Sequence, residues 1–87
     1  SSLSIAMTIL SLNRKMAMHY LINSYNQDLT FEIPKTIDAK KVSWRRWIDT
    51  SFESPKDICL WSDASNHIEN SYLVKSHSIA ILFTKIE

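Results

Sequence analysis

Three histidines, thirteen serines, one cysteine and nine carboxylates are the side chains in this 87-residue chain that could transfer protons, attack a carbonyl or hold a metal. A nucleophilic triad can be drawn from the serines, the histidines and Asp49 or Asp63, but with so many serines the set carries little information. The chain has no glycine, so no serine sits in a Gly-x-Ser-x-Gly elbow. His19, His67 and His77 fall on different segments and lack the spacing that aims two imidazoles at one ion, so each reads as a surface or half-buried side chain. Asp49 and Glu53 are the nearest pair of acids for glycosidic chemistry, which needs carboxyls roughly 5 to 9 Å apart. The run Asp49-Thr50-Ser51 reads instead as a strand end, where the carboxylate accepts from backbone two residues on. Cys59, between Ile58 and Leu60, reads as a small buried hydrophobe. That leaves Trp44, Trp47 and Trp61. Three positions apart in a regular strand means opposite faces, so Trp44 and Trp47 cannot both enter one core. Trp47 and Trp61 are therefore the candidates for stacking on a sugar ring or packing against another domain.

The composition removes several functional classes. Average usage of about 7% predicts roughly six glycines; their absence excludes a phosphate-binding loop or a dinucleotide turn, which need backbone without a Cβ. Turns must be built from Asn, Asp, Ser and Pro. Ten basic residues against nine acidic give a formal net charge of +1, without the basic footprint of a nucleic-acid binder. The densest basic group, Lys40, Lys41, Arg45 and Arg46, is flanked by Asp38 and Asp49 and reads as a solvated strand face. A single cysteine allows no internal disulfide and favours a reducing compartment. The longest apolar stretch, Ile5 to Leu10, is far short of the roughly 20 residues of a membrane-spanning helix. No cofactor, membrane or nucleic-acid partner is expected.

The elements that must position these residues are strands. Alternation of apolar and polar residues, the signature of a sheet face, runs through Ser4 to Leu10, His19 to Asn23, Leu29 to Ile33, Val42 to Asp49, Tyr72 to Lys75 and Ser78 to Phe83, with a shorter run at Ile58 to Trp61. Pro34, which cannot donate to a ladder, stops the third run. Ser11 to Met18 is a weak helical competitor and reads as a turn; Pro34 to Lys41 and Ser62 to Asn70 read as loops. Six or seven short strands in one domain predict a small antiparallel β-sandwich. At this length only about 60 to 65% of the unfolded surface can be buried, so the core must be thin.

The order of the segments Ser4-Ile5-Ala6-Met7-Thr8-Ile9, His19-Tyr20-Leu21-Ile22-Asn23, Leu29-Thr30-Phe31-Glu32-Ile33-Pro34, Trp44-Arg45-Arg46-Trp47-Ile48-Asp49-Thr50, Glu53-Ser54-Pro55-Lys56-Asp57-Ile58 and Tyr72-Leu73-Val74-Lys75-Ser76-His77-Ser78 resembles the C-terminal β-domain of glycogen debranching enzymes and isoamylases, which are alpha-amylase-type glycoside hydrolases. The resemblance spans nearly the whole chain. His77 stands where that family usually carries arginine, and Ser76 where it has a glycine; because glycine is missing from loops where the family often uses it, the resemblance marks Asn13, Asp63, Asn66 and Ser76 as the expected sites of left-handed backbone. The resemblance implies a domain without catalytic residues of its own, packed on and stabilising the (β/α)8 barrel of a parent enzyme that hydrolyses α-1,6-glucosidic branch linkages. It further implies a cytoplasmic or plastid location. Two other roles stay open: an α-glucan-binding module using Trp61 or Trp47, and a free-standing interaction domain. A sandwich separated from its barrel should expose an apolar patch and tend to dimerise.

Overall fold

A computed structural model describes residues 3–60 and 67–86. Among the described residues nine antiparallel strands form in chain order: β1 (Ser4–Leu10), β2 (Met16–Asn23), β3 (Leu29–Glu32), β4 (Thr36–Ile37), β5 (Lys40–Lys41), β6 (Trp44–Asp49), β7 (His67–Ile68), β8 (Ser71–Val74) and β9 (Ser78–Lys85). No helix forms among the described residues. The fold is therefore the all-β antiparallel domain expected from the alternation. Five strands make the main sheet in the order β1-β2-β9-β6-β7, and β3 with β8 and β4 with β5 make two small ribbons.

The core lies between one face of the main sheet and the ribbons. Ala17 and Leu21 of β2, Ala80 and Leu82 of β9 and Trp44 of β6 are buried together with Val74 of β8, Ile33 and Ile86. Phe31, Ile37 and Tyr72 pack against them from the ribbon side. In β3 the predicted division holds: Leu29 and Phe31 are half-buried, while Thr30 and Glu32 are exposed. Asn23 ties the layers at the far end, where its Nδ2 donates to the carbonyls of Gln27 at 2.8 Å and Val74 at 3.0 Å and its Oδ1 accepts from the Tyr25 amide.

Two short elements lie inside segments that read as loops. The β4–β5 hairpin closes through Asp38 and Ala39, whose φ angles of 52° and 64° give the turn with two left-handed residues that matches the twist of the flanking strands. β7 pairs Trp44 with Ile68 and Arg45 with His67. Left-handed backbone falls on Arg14 and His77 as well, one position beyond the expected Asn13 and Ser76. The displacement has a local cause at the first site: Asn13 uses its side chain to accept from the Lys15 amide at 3.0 Å, so it shapes the turn from the preceding position. Asp63 and Asn66 lie outside the described residues.

Candidate functional site

The structure brings several of the catalytic candidates together at one end of β6. Asp49 is 2% exposed. Its Oδ1 accepts from the Ser51 amide at 2.9 Å and the Ser51 hydroxyl at 2.6 Å, and its Oδ2 from the Tyr72 hydroxyl. The turn reading of Asp49-Thr50-Ser51 thus describes the observed bonds. Burial and the Asp49 carboxylate push the Tyr72 hydroxyl well above the usual phenol range, against a smaller opposite effect of Arg46. Arg46 donates through Nη2 to the Cys59 sulfur at 2.9 Å and lies 4.3 Å over the Phe52 ring. Cys59 is half-buried and takes a guanidinium hydrogen bond, so it is not the small buried hydrophobe expected.

This cluster locks the 51–59 segment and β8 onto the end of β6. Both Asp49 oxygens are committed to structural donors, and Glu53 is exposed on the turn, so the two acids do not share a cleft as general acid and base must. The histidines also stay apart. His19 is 4% exposed, bonded through Nδ1 to Thr8 Oγ1 at 2.8 Å and tilted against Trp44 at 5.5 Å, whereas exposed His67 meets the Ser43 hydroxyl at 2.8 Å. No group of three or more His, Cys, Asp or Glu among the described residues is arranged to hold a metal.

The tryptophans diverge from the simple alternation. Trp44 is buried, and its indole N–H donates to the Pro34 carbonyl at 2.6 Å. Between Arg46, opposite Leu82, and Ile48, opposite Ile81, the β6–β9 register shifts, so Trp47 is the extra residue of a bulge. A bulge resets the period of two, which removes the premise that Trp44 and Trp47 must point to opposite faces. Trp47 is half-buried, and its carbonyl accepts from the Cys59 amide at 2.7 Å. Trp61 lies outside the described residues.

What the sequence did not single out is the other face of the main sheet. The register places Ile5, Met7 and Ile9 of β1 beside Ile22, Tyr20 and Met18 of β2, and these beside Ile79, Ile81 and Phe83 of β9. Of these nine residues, Ile5 is 36%, Met7 46%, Ile9 46% and Ile79 40% exposed, Met18, Tyr20, Ile22 and Ile81 are half-buried, and Phe83 is buried. The covered face, by contrast, carries the polar residues His19, Asn23, Asp49, Ser78 and Thr84 alongside its aliphatic core. A one-sided antiparallel sheet puts its apolar residues inward and its polar ones outward; a sheet apolar on both sides is the pattern of one covered on both sides. Alternation had shown which residues share a face, and the open face could have been found by noticing that Ile79, Ile81 and Phe83 are larger and more apolar than Ala80, Leu82 and Thr84 as a set.

No helix among the described residues is long and apolar enough to cross a membrane. No family model matches the chain, and no curated protein matches it in sequence.

Proposed function

We propose that this chain is a non-catalytic β-domain that docks the open face of its main sheet on a larger folded body. The observation that carries the reading is that face: isoleucine, methionine and tyrosine side chains from three adjacent strands form one apolar surface. Contiguous apolar patches beyond a few hundred Å² are rare on monomeric soluble proteins. By the resemblance described above, the body is the (β/α)8 barrel of a debranching-type α-glucan hydrolase, and the domain stabilises that barrel by shielding its apolar surface. The parent's acid and nucleophile lie on the barrel, in keeping with the commitment of Asp49 to Ser51 and Tyr72 here.

Three measurements test this. The coding region upstream of Ser1 is expected to encode a barrel of about 250 residues in the same frame, and an in-frame stop directly before Ser1 would sink the reading. Incubated alone with glycogen, the chain is expected to release no reducing sugar, and turnover abolished by a change at Asp49 or Glu53 would refute its non-catalytic character. Titration with maltooligosaccharides followed by tryptophan fluorescence is expected to show no saturable change; saturation would transfer the function to glucan binding.

A further inference from the structure

The backbone of β1 offers a second surface, distinct from the side chains of the open face. β1 stands at one edge of the main sheet, with β2 its one neighbour among the described residues. The Ser24 amide donates to the Leu3 carbonyl and the Ser11 amide to the Met16 carbonyl, each at 2.9 Å. Hydrogen-bonded pairs alternate along an antiparallel ladder. Residues 3, 5, 7, 9 and 11 therefore bond β2, and the N–H and C=O groups of Ser4, Ala6, Thr8 and Leu10 point away from it along the open edge. Folded proteins usually blunt such an edge with lysine, proline, a bulge or brevity. β1 has none of these: it is seven residues of regular pairing, without charge, glycine or proline. Its side chains are also exposed on both sides from Ser4 to Ile9, because the ribbons do not reach over it.

We infer that β1 pairs antiparallel with β1 of a second copy of this chain, joining the two main sheets into one continuous sheet. The four outward-facing residues are symmetric about Met7. With Met7 on the twofold axis, Ser4 bonds Leu10 of the other copy and Ala6 bonds Thr8, so every open donor and acceptor of both strands is used. The same register sets Ile5 beside Ile9 and Met7 beside Met7, apolar against apolar, and brings no charge of either strand against a like charge. A shift by two residues leaves one of the four outward-facing residues of each strand unpaired, which makes the central register the preferred one. An interface confined to one strand pair is small and belongs with the weak, concentration-dependent contacts. The hydrogen bonds that join the two copies come from the outward backbone of Ser4, Ala6, Thr8 and Leu10, which the docking of the open face does not use.

The test is sedimentation of the 87-residue chain from about 10 μM to 1 mM, the range in which small interfaces fill. A shift from monomer to dimer is expected. Ala6→Pro removes an outward N–H without touching a β2 bond, and Met7→Lys sets two ammonium groups face to face on the axis; both are expected to keep the folded circular dichroism and abolish the dimer. Cα atoms opposed in a non-bonded pair lie about 4.5 Å apart, within disulfide reach. Met7→Cys is therefore expected to cross-link under oxidation faster than Ile5→Cys or Ile9→Cys. A chain monomeric at 1 mM overturns the inference. So does a dimer that survives Ala6→Pro but is lost on Ile81→Lys, which would be face-to-face packing, or a longer chain whose preceding residues protect the amides of Ala6 and Thr8 from exchange in a monomer.

Discussion

Replacing Ala39 with glycine should stabilise this protein. Ala39 sits at φ 64° in the β4–β5 turn, and its side chain is exposed. A Cβ in left-handed backbone approaches the following carbonyl and costs roughly 1–2 kcal/mol. Glycine removes that cost but gives the unfolded chain more freedom, which takes back about 0.4–1 kcal/mol. The net gain is about 0.5–1 kcal/mol. In a domain of this size each kcal/mol moves Tm by about 4–8 °C, so a rise of roughly 2–8 °C is expected. Ala6→Gly is the control: the same atoms are removed from an exposed alanine in an extended strand, no strain is relieved, and only the entropic loss remains. The two variants should therefore shift stability in opposite directions. Thermal and urea unfolding with matched m-values measure both. A destabilised Ala39→Gly chain, or equal shifts at the two sites, would refute the claim that this glycine-free chain carries strain in its turns.

Other expectations follow from the buried polar groups. Burial holds the His19 imidazole below its ordinary pKa, so the folded chain keeps it neutral where the unfolded chain is protonated. Its contribution is fully present above about pH 6.5 and is lost as pH falls from there through the lower folded value; His19→Gln should flatten that stretch of the stability profile, and an unchanged slope would count against the assignment. Tyr72→Phe deprives buried Asp49 of a donor and should cost about 1.5–3 kcal/mol, the usual worth of a hydrogen bond to a charged group. The same variant should remove the tyrosine that ionises last in an alkaline absorbance titration. Arg14→Ala, which breaks an exposed pair with Asp38, should change stability by less than about 1 kcal/mol in urea unfolding.

Much of the architecture was legible because strands announce themselves locally. The runs from Ser4, Leu29 and Ser78 became strands close to where their alternation placed them, since a period of two is a property of neighbouring residues. The hairpin at Asp38 and Ala39 was hidden because its strands are two residues each, and the usual turn signal there is a glycine this chain does not have. The bulge at Trp47 was hidden for another reason: it exists only in the pairing of β6 with β9.

The Asp49 cluster shows the same divide. The Ser51 amide lies two residues from its acceptor, and that bond was foreseen from Asp49-Thr50-Ser51 alone. Tyr72 and Cys59 arrive from elsewhere in the chain, brought by the packing of β8 and of the 51–59 segment on the end of β6.

By itself, then, the sequence determined an all-β chain, turns made without glycine, and the sets of residues that share each strand face. Those are consequences of backbone sterics and of spacing along a few residues. Only the tertiary structure decided which face is covered. It turned His19, Asn23 and Asp49 inward and left Ile5, Met7 and Ile79 on the open side. Either side of an alternating strand can be buried, and the choice is made by what the ribbons can pack against and by which buried polar groups find partners.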